Sequence, residues 1–214
     1  MKALRTHEVG GPDTLTLDEV DAPTPGKGQV IVDVKACAIN YPDTLMIRDL
    51  YQFKPERPYA PGGEIAGVIS AVGEGVSGWE VGDKVLAGIG SGGLAEKVAV
   101  EADRMFKVPD GVSYEKAASL MMTYGTTIHG LKDRGHIKEG DNVLILGAAG
   151  GVGLSAVELA KAYGARVIAA VSSEEKGEVA KKAGADEVVI YPRDEMDKAA
   201  SKDLANKFKE ACGP

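Results

Sequence analysis

Two hydrophobic periods divide the chain. Up to about Val112, apolar residues alternate with polar ones or run in short blocks, at Gln29 to Ala36, Gly67 to Val72 and Lys84 to Leu86, with Gly and Pro clusters between them. Period-two alternation bounded by such clusters predicts strands. The reversals between them fall at Pro23-Thr24-Pro25-Gly26, Pro61-Gly62-Gly63, Gly73-Glu74-Gly75 and Val81-Gly82-Asp83, which supply the fixed or positive φ a turn needs. Residues 1–112 therefore read as a compact, mostly β, barrel-like domain. From Ser113 the period becomes helical, with Ser113 as an N-cap and Val112 placed to staple against Ala117. After two short helices come strand Asn142 to Leu146, helix Gly151 to Tyr163, strand Arg166 to Val171, helix Glu174 to Ala183, strand Glu187 to Ile190 and helix Lys198 to Ala211. Gly164 and Gly184 stand where a helix takes its left-handed stop. Short apolar strands alternating with longer helices specify parallel βαβ units, so residues 113–214 form a second, α/β domain. A doubly wound nucleotide fold carries about six strands. The pattern here reaches a third and then Ala211-Cys212-Gly213-Pro214, so the sheet is expected to be truncated.

Composition narrows the partners. At 214 residues and 44% hydrophobic the chain can bury a substantial core, and 25 basic against 32 acidic residues leave a net charge of -7. That balance argues against nucleic acid or an anionic membrane. Aromatics at 5% give little material for a base-stacking platform. The uncharged stretches Val143 to Val157 and Ala117 to Leu131 fall short of the roughly 20 residues of a spanning helix. No signal or transit peptide is visible at Met1 to Asp13, and two distant cysteines, Cys37 and Cys212, fit a reducing, cytoplasmic setting.

The chemistry begins where Val143-Leu144-Ile145-Leu146 runs into Gly147-Ala148-Ala149-Gly150-Gly151-Val152-Gly153 and then a helix. In that context a glycine run is a dinucleotide fingerprint. A pyrophosphate is expected on the free N–H groups of Gly151 and Val152, with Gly153 letting the helix lie close on the strand. The alternative is a tight strand-to-helix turn and nothing more. NAD-binding versions carry an acidic residue at the end of the second strand, about 20 residues on. Here the strand ends Val171-Ser172-Ser173, and those hydroxyls with Lys176 can receive a 2′-phosphate, which favours NADPH. Glu174 and Glu175 oppose it. Ser172 and Glu175 also match a capping box, and the lesser reading of Lys176 is a solvated helix residue. Tyr191, ending the third strand, is within reach of the same pocket.

Asn40-Tyr41-Pro42-Asp43, Tyr51, Gly62-Gly63-Glu64-Ile65-Ala66-Gly67-Val68, Val81-Gly82-Asp83-Lys84-Val85 and Gly93-Leu94-Ala95-Glu96 occur in that order ahead of the fingerprint. Together they resemble the zinc-independent quinone oxidoreductase, or zeta-crystallin-like, branch of the medium-chain dehydrogenase/reductase superfamily. The resemblance implies a GroES-like barrel followed by a Rossmann domain, NADPH as cofactor, a quinone or enone as small-molecule substrate, and a homodimer for a full-length parent. It also implies that Asn40 and Thr126 border the nicotinamide and that Tyr51 lines the substrate cleft. A second family tyrosine is Leu45 here. Tyr41 and Asp43 are possible replacements, although Asp43 reads equally as a structural hydrogen-bond partner.

Zinc-dependent relatives carry Cys at the position of Asn40 and His at that of Gly63, and a four-cysteine lobe that this chain lacks. Catalytic zinc needs three N, O or S ligands, so no metal is expected. Cys37 reads as a buried strand cysteine, and His7, His129 and His136 form no spaced cluster. Without a Lewis acid to stabilise an alkoxide, alcohol oxidation is disfavoured, and reduction of a quinone or an activated C=C bond asks less of the protein. Three readings remain open: a quinone reductase, an enoyl or alkenal reductase using the same hydride geometry, and a non-catalytic nucleotide-binding module.

Overall fold

The computed structural model describes residues 1–213, which form two compact units. The first is Met1–Met122 and the second begins at Thr123. The division lies ten residues beyond the expected change at Val112, because the first helix after it belongs to the β unit. That helix, α2 (Tyr114–Ala118), buries Ala117 and Ala118 against Ala66, Leu86 and Val108. Ser113 caps it as expected, accepting the Lys116 N–H.

In the first unit β3 (Gln29–Ala38), β4 (Glu64–Val72), β5 (Lys84–Gly88), β6 (Lys97–Glu101) and β7 (Met105–Lys107) make one antiparallel sheet in the order β6-β3-β4-β5-β7. A hairpin of β1 (Lys2–Thr6) and β2 (Leu15–Glu19) stands beside it, joined through single bridges Ala3–Ala95 and Thr6–Tyr59. No closed barrel forms among the described residues, because β6 and β7 are opposite edges of the sheet and β7 contributes three residues to its one pairing. Val30, Val32, Ile65, Ile69, Val85 and Val100 fill the core of this unit.

The second unit holds a parallel sheet of β8 (Asn142–Leu146), β9 (Arg166–Val171) and β10 (Glu187–Ile190) in the order β10-β9-β8. Helices α4 (Gly151–Ala162) and α5 (Glu174–Lys182) bury Val157, Ala160 and Ala180 against Val167, Ala169 and Val171. Helix α6 (Lys198–Cys212) brings Leu204, Phe208 and Ala211 to Ile168 and Val189. The central strand β9 is thus covered from both faces, which is why it is an unbroken apolar run rather than an alternating one. Between the units' regular parts, π-helical turns at Met121–Gly125 and His129–Arg134 flank a one-turn helix, α3 (Thr126–Ile128).

Asp186 pins this α/β layer. Both its oxygens take Lys161 Nζ of α4 (2.8 and 2.9 Å), and Oδ2 also accepts the Val167 N–H of β9 at 2.7 Å. The Lys161 hydrogen bond and then the Val167 amide hold its carboxyl below the usual aspartate range, against the opposing effect of burial. A carboxyl depressed on folding stabilises above its unfolded-state value, and the contribution is lost as pH falls through the folded value. The denaturant midpoint of the wild type is therefore expected to fall between about pH 5 and pH 2 more steeply than that of Asp186→Asn. Equal slopes would remove Asp186 from the acid transition.

Candidate functional site

The turn from β8 into α4 leaves backbone N–H groups open at the start of the helix. Gly147 takes φ +64°, and Gly150 enters the helix in extended geometry with no side chain capping it. The N–H groups of Gly151, Val152 and Gly153 are the first of α4, where no intrahelical acceptor exists, and Gly151 and Val152 are exposed. Gly153 is buried, and a Cβ there would lie 2.3 Å from the Gly147 carbonyl oxygen and 2.8 Å from Ala148 Cα. Its bareness lets the first turn of the helix rest on the loop itself, a closer partner than the strand.

Gly147, Ala149, Gly150, Val171, Ser172, Lys176 and Tyr191 line one cavity of about 130 Å³. Five of these were expected in the cofactor site, and the fold brings them together at the ends of three parallel strands. The two roles left open for Ser172 separate. Ser173 is the residue that caps α5, its Oγ accepting the Lys176 N–H at 3.3 Å, so Ser172 is not engaged in the cap. Instead Ser172 Oγ accepts from Lys176 Nζ at 3.2 Å and from Arg193 Nε at 3.1 Å. Neither cation is ion-paired with a carboxylate among the described residues. Two like charges meeting on a neutral hydroxyl leave a shared deficit of negative charge, which a phosphate dianion fits. Arg193 was missed from sequence. The signal was present in a basic residue two places after the strand-ending Tyr191.

Asn40, Tyr51 and Thr126 are not among the residues that line this cavity. Asn40 is half-buried at the N-cap of α1 (Tyr41–Met46), and Tyr51 is half-buried in the bend that follows it. Thr126 is exposed as the first residue of α3. Its stretch is latched to α4 through the buried Ser155. The Ser155 hydroxyl lies 2.7 Å from the hydroxyl of Thr127 and donates within reach of the carbonyls of Thr123 (3.2 Å) and Val152 (2.9 Å).

Residues 26–110 match the family model of the alcohol dehydrogenase GroES-like domain, and residues 151–213 match that of the zinc-binding dehydrogenase. A quinone oxidoreductase of Pongo abelii is 37% identical over 190 residues, 88% of this chain and 58% of the relative. The quinone oxidoreductase of Pseudomonas syringae superposes with a TM-score of 0.87 at 36% identity, over 97% of this chain and 63% of that one. The Escherichia coli quinone oxidoreductase, solved in complex with NADPH, gives a TM-score of 0.87 at 33% identity over 96% of this chain and 63% of its own. The chain belongs to the quinone oxidoreductase branch of the medium-chain dehydrogenase/reductase superfamily.

As a member of this branch it spans 58% of the length of that curated relative. No described helix is long and apolar enough to cross a membrane. Among the described residues no group of three His, Cys, Asp or Glu side chains could hold a metal ion. The thiol nearest Asn40 in sequence, Cys37, is pushed up to about 12 by burial and then by the Asp43 carboxylate, so it does not offer a thiolate. The two readings of Asp43 also separate. It is buried, and its oxygens accept the backbone N–H groups of Asn40 (2.7 Å) and Gly62 (3.1 Å), the structural role. Tyr41, by contrast, is 74% exposed.

Proposed function

We propose that this chain is the cofactor-reading and substrate-facing part of a zinc-independent, NADPH-dependent quinone reductase. When bound, NADPH supplies a hydride, and with one proton from water the quinone becomes the quinol and the cofactor NADP⁺. The observation that carries the reading is the convergence of Lys176 and Arg193 on Ser172, with no carboxylate paired to either among the described residues. The protein's own part begins there. Ser172, Lys176 and Arg193 hold the 2′-phosphate, Tyr191 closes the adenosine side, and the open N–H groups of Gly151 and Val152 take the pyrophosphate. Ser173 adds a hydroxyl beside them while its lone pair serves the helix. Asn40 and Thr126 border the nicotinamide, and Tyr51 lines the acceptor's approach. These are orienting and hydrogen-bonding roles, the kind that stabilise charge developing on a substrate carbonyl. The unit Met1–Met122 acts as the catalytic domain and the unit from Thr123 as the NADPH-binding domain.

The test is calorimetric titration of NADPH and of NADH into the purified chain, with quinone- and enone-dependent NADPH oxidation followed on the same sample. NADPH is expected to bind more tightly than NADH by at least about 10-fold, the worth of one charge-assisted contact. Turnover faster with a quinone than with an α,β-unsaturated carbonyl supports the acceptor assigned. NADH binding as tight as NADPH would overturn the cofactor assignment. Binding of NADPH without turnover would make the chain a nucleotide module.

A further inference from the structure

Asn40 stands between two buried carboxylates. Asp43 fixes its backbone, as described. On the side-chain amide acts Glu64, 1% exposed at the start of β4, whose Oε2 accepts from Asn40 Nδ2 at 3.1 Å. The other oxygen, Oε1, accepts the backbone N–H groups of Met121 and of Met122, the latter at 3.1 Å. The partners of Glu64 are thus N–H donors alone, with no Lys, Arg or His paired to it among the described residues. A buried carboxylate is costly to maintain unless its oxygens are fully engaged. Here they are engaged by one side chain and one π-helical turn.

We infer that Glu64 is the positioning residue of Asn40, setting which end of its amide faces a ligand. An asparagine amide is nearly symmetric in shape, so packing alone does not choose between its two orientations, and hydrogen-bond polarity must. A carboxylate presents only acceptors. It therefore draws Nδ2 toward itself and turns Oδ1 away, and by holding Met121 and Met122 with its second oxygen it is itself kept from rotating. The side chain that selects the orientation of Asn40 never needs to touch a ligand. The kinetic consequence rests on the function proposed above, whereas the orientation itself does not.

Glu64→Gln separates the two. Glutamine keeps one oxygen for the paired backbone N–H groups and turns its NH₂ toward Asn40, so the Asn40 amide must rotate to offer Oδ1. Shape and volume barely change. In the ¹⁵N-labelled chain the Asn40 side-chain amide pair, assigned by its absence in Asn40→Ala, is expected to show one downfield, slowly exchanging proton in the wild type and none in Glu64→Gln, with the Met121 and Met122 amides still protected. An Asn40 pair unmoved by Glu64→Gln would overturn the inference. In the quinone assay kcat is expected to fall about 10- to 100-fold. Glu64→Gln combined with Asn40→Ala should be no slower than Asn40→Ala alone, because both remove one effect. Additive losses would overturn the positioning role. A wild type with no turnover would sink the reductase reading and leave the amide signal to judge the inference. If Glu64→Gln fails to fold, Asn40→Asp decides: it sets two carboxylates against each other and should lower the melting temperature, and adding Glu64→Gln should restore it by donating to Asp at 40. Failure of that rescue would count against direct pairing.

Discussion

Removing both cations from the Ser172 cluster, as Lys176→Ala with Arg193→Ala, is expected to weaken NADPH binding about 100-fold while NADH binding changes about twofold or less. On the function proposed, each cation gives a charge-assisted hydrogen bond to the phosphate, worth about 1.5–3 kcal/mol when well formed. Arg193 is exposed, so water screens its share, and Lys176, half-buried under the cavity wall, should carry the larger part. The two affinities measured by calorimetry at several salt concentrations make the check. The wild-type preference should shrink with salt and that of the double variant should be small at every salt. Equal losses for NADPH and NADH would mean that the two cations support the shape of the pocket and do not read the 2′-phosphate.

Gly153→Val is expected to abolish binding of both nucleotides. The added Cβ would meet the Gly147 carbonyl oxygen at 2.3 Å and Ala148 Cα at 2.8 Å, both of them backbone, so no side chain can swing away. Either α4 lifts off the loop or the loop opens, and in both cases the N–H groups of Gly151 and Val152 lose their aim. Overpacking of this kind costs about 1–3 kcal/mol, which the chain should survive. Thermal melts beside the two titrations separate lost folding from lost binding. Retained NADPH affinity in a folded Gly153→Val would remove the pyrophosphate from the first turn of α4.

The α/β unit was legible because its signals are local. Asn142–Leu146, Arg166–Val171 and Glu187–Ile190 are apolar blocks bounded by helix caps and glycine stops, and the strands occupy those residues. The first unit was less so. Strand β2 buries none of its residues and β1 is held by partners far along the chain, Ala95 and Tyr59, so their period is weak. Closure of a sheet depends on which edges meet, which no alternation of Val and Ala encodes. Ser172 and Ser173 are chemically equal in sequence, and only the direction of α5 decides which one caps it. Glu64 was visible as part of a motif, yet its work was not. Its three donors lie 24, 57 and 58 residues away, and a buried carboxylate runs against the rule that charge marks the surface.

The Ser155 latch gives the second unit a ruler. A dinucleotide has two ends a set span apart, and a protein gripping the phosphates must hold whatever meets the other end at a matching interval. In this chain that interval is not left to a loop. Ser155, one turn into the helix that begins at the glycine run, ties Val152 to Thr123 and Thr127 on either side of Thr126. On the function proposed, the mark for the nicotinamide is thereby fixed to the mark for the pyrophosphate before any cofactor arrives, and a nucleotide of the wrong span finds only one of its two ends received.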